Sequence, residues 1–168
     1  MRDFESFTTE RLLLIPTSEK DADFILKLLN TPKWLKFIGD RNVKTTPDAV
    51  QYIRNKITPQ FQKSGYGAYT VVRKSDGAKM GNCGLYDREG LEGVDIGFAF
   101  LPEFEGKGYA FEAASKIKEL AEAHFKIKEL KAISVKENTA SQKLLKKLGF
   151  KSKGTIDFFG EELLLFQL

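Results

Sequence analysis

Between residues 94 and 121 the chain changes character twice, and no other stretch restricts the fold as much. Val94-Asp95-Ile96-Gly97-Phe98-Ala99-Phe100-Leu101 is nearly all apolar, with Asp95 its only charge. After Gly106-Lys107-Gly108 comes a helical pattern in Ala110, Ala113, Ala114, Ile117, Leu120 and Ala121. A buried strand thus leads through a glycine turn into a helix N-terminus. Such a terminus offers unpaired N–H groups and the positive end of a helix dipole, which suit a phosphate. Gly106 and Gly108 permit close approach, and Ala110 keeps the first helical turn slim. Glu103, Glu105 and Glu112 crowd the same segment. On this segment alone two readings stay open, an anion loop working through backbone amides and a plain strand-to-helix turn. A P-loop is excluded, because Gly108 stands where Ser or Thr must follow the lysine. A dinucleotide GxGxxG turn would need a small residue where Phe111 stands.

The first third reads as a strand, Arg11–Pro16, then helices. Ser18 or Thr17 can cap a helix with Ala22, Ile25, Leu28 and Leu29 on one face. Thr31-Pro32 stops it and opens another through Trp34-Leu35-Phe37-Ile38. Thr46-Pro47-Asp48 starts a third, striped by Val50, Ile53, Ile57 and Phe61 despite Pro59. Strands follow at Ala68–Val72 and Met80–Tyr86, joined by a Ser75-Asp76-Gly77 turn, and Val94–Leu101 makes another. Beyond the long helix come a strand at Leu130–Val135, a helix at Thr139–Leu148 ended by Gly149, and strands at Phe150–Thr155 and Glu161–Gln167. The order β-α-α-β-β-β-α-β-α-β-β predicts one mixed α/β domain over residues 1–168, built on a central sheet.

Composition narrows the chemistry. The chain has 168 residues, one cysteine (Cys83) and one histidine (His124). That excludes an internal disulfide, a cysteine metal cluster and a multi-histidine site. The net charge of +4 comes from scattered lysines rather than a basic block, so anionic ligands are favoured over nucleic acid. No apolar run approaches a membrane span and the N-terminus lacks a signal-type apolar core, so the expectation is a cytoplasmic protein.

Lys136-Glu137-Asn138-Thr139-Ala140-Ser141-Gln142-Lys143-Leu144-Leu145-Lys146-Lys147-Leu148-Gly149-Phe150 resembles the ENxxSxxLLxKLGF segment of the GNAT N-acetyltransferase superfamily. Glu105–Ala110 resembles that superfamily's Q/R-x-x-G-x-G/A pyrophosphate loop. Thr9–Leu14, Leu28–Asp40, Asp95–Ala113 and the closing strands resemble the RimJ/RimL-like branch, the ribosomal-protein N-terminal acetyltransferase type. The likeness spans essentially the whole chain, in order.

The resemblance implies a mixed, mostly antiparallel sheet with helices on both faces and one splayed parallel pair, Val94–Leu101 beside Leu130–Val135. It implies that acetyl-CoA is the co-substrate, with its pantetheine arm in the gap along Phe98, Ala99 and Phe100. Its pyrophosphate would lie on the amides of Gly106, Lys107, Gly108, Tyr109 and Ala110. Asn138 matches a residue facing the arm, and Ser141 a polar residue near the thioester sulfur. An amine would attack the thioester directly. A strand N–H would meet the oxyanion, and Ser141 or a tyrosine such as Tyr86 would protonate the leaving thiolate. Asp95 matches an acidic position at the head of the cofactor strand and is the first candidate base, with Glu92 second. Trp34 and Phe37 suit a wall of the acceptor pocket, and Lys143 or Lys146 the cofactor's phosphates.

Other readings of these residues stand beside the catalytic ones. Asp95 can simply open its strand, Asn138 can cap the following helix, Cys83 is expected in the core, and His124 is expected packed or partly buried on its helix's apolar stripe. Two positions depart from the family pattern. Glu105 replaces a Gln, Arg or Trp, and is expected to face solvent with Lys107 offsetting it. Phe98 replaces a frequent Tyr. The implied partners are acetyl-CoA and an amine, either a protein N-terminus or a small amine, with no metal, nucleic acid or membrane and a monomeric or homodimeric state. The alternatives are a catalytically silent CoA-binding sensor or scaffold, and a nucleotide-binding α/β domain.

Overall fold

The computed structural model describes residues 4–168. Eight strands form one sheet in the order β1-β2-β3-β4-β5-β6-β8-β7. They are β1 (Phe7–Thr8), β2 (Leu12–Pro16), β3 (Ala68–Arg73), β4 (Lys79–Tyr86), β5 (Val94–Phe100), β6 (Leu130–Ser134), β7 (Lys151–Phe158) and β8 (Glu161–Gln167). Among the described residues only β5 and β6 pair in parallel. In β3 five consecutive residues are buried, as are six in β4. Side chains alternate across a strand, so unbroken burial means that both faces are covered.

Helices α1 (Ala22–Leu29), α2 (Pro32–Phe37), α3 (Thr46–Tyr52) and α4 (Thr58–Ser64) precede β3. Helix α1 buries Phe24, Ile25, Leu28 and Leu29, whereas α2 buries none of its residues. The α3–α4 stripe is continuous, as the sequence suggests, but Ile53–Ile57 form a π turn between the two helices. Pro59 lacks an N–H and cannot continue an i→i−4 ladder, so it sits in the first turn of a new helix instead. Helix α5 (Tyr109–Ala123) buries Ala113, Ala114, Ile117, Leu120 and Ala121, and α6 (Thr139–Lys147) follows β6.

The feature that makes the site is the failure of β5 and β6 to stay together. Their register runs only through Val94–Leu130 and Asp95–Lys131, although β5 continues to Phe100 and β6 to Ser134. On its other side β5 stays paired with β4 as far as Phe100 opposite Gly81. From Ile96 to Phe100 one edge of β5 is therefore an open half-ladder.

Several expectations need correction. A short strand, β1, precedes β2. β7 extends to Phe158, beyond the expected Thr155. His124 is only partly packed; its ring meets Phe7 and Phe125 edge-on, while its outer side reaches solvent and its Nε2 lies 3.2 Å from Glu5 Oε2. Of the two offered caps it is Ser18 that serves, at the 3-10 turn Glu19–Asp21 leading into α1, while Thr17 is buried against Thr70.

Candidate active site

The open edge of β5 separates two cavities. The smaller, about 350 Å³, runs between α2, the Glu105–Ala110 turn, β5 and the start of α6. The larger, about 810 Å³, lies toward β4, β6 and the β7–β8 hairpin. Both are lined by Trp34, Phe37, Phe98, Ala99, Asn138 and Ser141, so they are two rooms of one cleft. Gly106, Gly108, Tyr109, Ala110 and Phe100 line the smaller room and Asp95 the larger. Lys107 belongs to the same turn but lines neither.

Gly108 is the residue before α5 and has φ +81°, with no side chain capping the helix. Gly106 has φ +74°. Both need the left-handed conformation that glycine adopts freely. Among the described residues, no backbone N–H from Lys107 to Phe111 is spent on a loop or cap partner. A long helix therefore presents bare donors to the smaller room.

The crowding carboxylates are each matched. Glu103 Oε1 lies 3.2 Å from Lys27 Nζ, and Glu105 Oε2 lies 2.6 Å from Lys33 Nζ. Glu112 Oε1 lies 2.7 Å from Arg11 Nε, and its other oxygen accepts from the Arg11 backbone and from Thr9 Oγ1. Arg11 also donates through Nη1 to the Lys107 carbonyl and stacks on the Tyr109 ring, 4.4 Å from its centroid. Glu105 is thus offset by Lys33 of α2 rather than by Lys107, as the sequence suggested.

Asp95 is 1 % exposed and accepts from Arg88 Nε on both oxygens, at 3.0 and 2.9 Å. Burial pushes its carboxyl up to about 6, against the pull of Arg88. The Arg88 guanidinium lies 4.6 Å from the Tyr86 ring centroid. Gly97 makes room for this stack, since a Cβ there would sit 2.9 Å from Tyr86 Cε2 and 3.2 Å from Arg88 Nη2. Glu92, the second base candidate, is exposed and lines neither room.

Asn138 caps α6, its Oδ1 accepting from the Ser141 N–H at 3.2 Å. Capping and facing the cleft are compatible, because one oxygen fixes the helix start while the residue still lines both rooms. Cys83 is fully buried and burial pushes its thiol up strongly, so no thiolate is at hand. Lys147 of α6 covers the Phe111 ring at 4.1 Å and lines the smaller room, whereas Lys143 and Lys146 do not. Among the described residues no cluster of three or more metal-ligating side chains forms, and no helix is long and apolar enough to cross a membrane.

Arg88, Lys33 and Arg11 escaped the sequence reading. A lone charge between a strand and a turn gives no spacing signal, and the glutamates served by Lys33 and Arg11 lie 72 and 101 residues away. Arg88 alone left a trace, since Asp95 in an apolar strand demands a cation within reach.

The comparisons with known proteins fit this geometry. Residues 11–151 match the acetyltransferase (GNAT) domain family. The chain is 26% identical over 147 residues to the uncharacterized N-acetyltransferase YnaD of Bacillus subtilis (strain 168), covering 88% of this chain and 83% of that one. Its fold superposes on the acetyltransferase of Agrobacterium tumefaciens str. C58 with a TM-score of 0.84 at 19% identity, covering 100% of this chain and 96% of the other. It superposes on RimL, a ribosomal L7/L12 alpha-N-protein acetyltransferase in complex with coenzyme A, with a TM-score of 0.81 at 16% identity, covering 98% and 97%. The splayed strand pair, the bare helix terminus and a family match over most of the chain agree: the protein belongs to the GNAT acetyltransferase family.

Proposed function

We propose that the smaller room takes the CoA part of acetyl-CoA, that the larger takes a primary amine, and that the acetyl group passes between them at the open edge of β5. The observation that carries this is the half-ladder from Ile96 to Phe100, lying between the two rooms and leading to the bare N-terminus of α5. An extended ligand with amides in its middle and a pyrophosphate at one end fits both. When bound, acetyl-CoA supplies an activated acyl carbonyl and a thiolate leaving group.

The chain's own residues then have separate tasks. Free N–H and C=O groups near Phe98, Ala99 and Phe100 hold the arm and offer a fixed donor to the oxygen that gains charge. The amides from Gly106 to Ala110 hold the pyrophosphate. Asp95, lifted toward neutral pH and held by Arg88, takes the proton that an ammonium must lose, directly or through water. Ser141, on the first turn of α6, hands a proton to the departing sulfur. With Cys83 buried, direct attack needs no acyl-enzyme, and holding both reactants in line provides much of the acceleration. The name of RimL supports a peptide α-amine as acceptor; the larger room also suits a small amine.

Calorimetry with CoA, ATP and NAD, followed by thiol release with N-terminal peptides, polyamines and aminoglycosides, tests this reading. Submicromolar to micromolar CoA binding with thiol release is expected. Tighter binding of ATP or NAD than of CoA overturns it. CoA binding without transfer to any amine leaves the silent CoA-binding module.

A further inference from the structure

Among the described residues the buried polar side chains are Thr17, Asp21, Thr70, Asn82, Asp95 and Ser134. The first four come from a loop, a 3-10 turn, β3 and β4, yet they join in one chain. Thr70 Oγ1 donates to Asp21 Oδ2 at 3.1 Å. Thr17 and Thr70 hydroxyls lie 2.8 Å apart. Asn82 Nδ2 reaches Thr17 Oγ1 at 3.4 Å, and the Tyr86 hydroxyl donates to Asn82 Oδ1 at 2.9 Å. Burying so many polar groups under a sheet is costly unless each is satisfied.

The chain has only one consistent polarity. Asp21 accepts from Thr70, from the Ser18 N–H and from Lys79 Nζ, the last at 2.7 Å. Thr70 has then spent its only proton and must accept from Thr17. Thr17 has in turn spent its own and must accept the Asn82 amide N–H. That orients Asn82 with Oδ1 toward Tyr86, and Tyr86 must give its proton to Asn82. At the end of the chain the Tyr86 hydroxyl has only lone pairs left. Asn82 and Tyr86 both line the larger room. Arg88 lies over the Tyr86 ring with its charge matched by Asp95, so the cation stacked on Tyr86 is a paired one; Arg41 and Lys56 also line this room.

We infer that Tyr86 orients the acceptor amine, accepting one of its N–H groups so that the nitrogen lone pair faces the thioester. In this arrangement Asp21, through Thr70, Thr17 and Asn82, fixes the direction of that hydroxyl. The inference rests on the acetyltransferase reading and deepens it, and it leaves protonation of the thiolate to Ser141 rather than Tyr86. Thr70, Thr17 and Asn82 are positioning residues; Tyr86 is the one that touches substrate.

The test uses Tyr86→Phe, Thr70→Val, Thr70→Ser and the Tyr86→Phe/Thr70→Val double variant. Tyr86→Phe is expected to raise KM for the amine at least about tenfold, with kcat changed far less and CoA affinity unchanged by calorimetry. Thr70→Val is expected to raise KM in the same direction, Thr70→Ser to restore it, and the double variant to be no worse than Tyr86→Phe alone. Multiplying effects, or an unmoved KM in Tyr86→Phe, overturn the inference. Loss of CoA binding in the parent protein instead overturns the acetyltransferase reading. A readout independent of turnover is the Tyr86 hydroxyl proton in the CoA-bound protein by NMR. It is expected to exchange slowly and to show contact with Asn82, and to lose that protection in Thr70→Val; rapid exchange in the parent protein overturns the assigned direction.

Discussion

Lys33 Nζ sits 2.6 Å from Glu105 Oε2, tying α2 to the turn that precedes the bare end of α5. In the proposed reading the turn holds a pyrophosphate through its amides, and this pair itself adds no net charge of either sign beside them. Both side chains are substantially exposed, so the pair itself stabilises the fold by no more than about 1 kcal/mol. Glu105→Gln is therefore expected to leave CoA affinity within about threefold. Lys33→Glu sets two carboxylates beside the amides of the turn and, if these hold the pyrophosphate, is expected to weaken CoA about tenfold at low salt, less so at high salt. Calorimetry at two salt concentrations checks both.

Gly108 carries a backbone conformation that a side chain resists. Gly108→Ala is expected to cost about 1–2 kcal/mol of stability and to weaken CoA more than it weakens the fold, because the strained residue holds the donors in place. Urea unfolding and CoA calorimetry on the same variant give the comparison. A stability loss with unchanged CoA affinity counts against the turn as pyrophosphate site.

Asp95 gives a pH signature with a definite sign. Its folded value of about 6 lies above the ordinary 3.8. The stability it contributes is therefore complete below about pH 3.8 and lost as pH rises through about 6. In Asp95→Asn that dependence disappears, so the stability difference between the two proteins should shift by on the order of 2 kcal/mol between pH 4 and pH 7. If Asp95 is the base, kcat/KM for the amine rises through pH 6 in the parent protein, and Asp95→Asn loses that limb.

Asn138 has a structural duty that can be separated from any contact with substrate. Asn138→Ala removes the cap of α6 and is expected to cost about 1 kcal/mol. Asn138→Asp keeps the capping oxygen and should restore most of that stability. If CoA affinity falls in both, Asn138 meets the ligand itself; if it falls only in the alanine variant, the cap alone matters.

Much of this was legible in the sequence because it is local. The apolar run of β5, the glycine turn and the alanine face of α5 are contiguous, so their order alone predicts a bare helix terminus beside a buried strand. The Asn138 cap lies within one helical turn of the residue it serves. The buried polar chain was not legible, since Thr17, Asp21, Thr70 and Asn82 are ordinary residues until the sheet brings them into one line. His124 was legible only in part, for a related reason. Its helical phase matches the apolar stripe of α5, but it falls just past the helix end, where the chain turns out toward Glu5.

The three glutamates around the glycine turn answer to Arg11, Lys27 and Lys33, all from the first fifth of the chain. That arrangement makes the protein poorly modular. A chimera keeping this turn but taking residues 9–33 from a relative would inherit uncompensated acid beside the helix terminus that the proposed reading gives to the pyrophosphate. Such a chimera is expected to fold around the same sheet and bind CoA more weakly, until the segment carrying the cations and the segment carrying the glutamates are exchanged together.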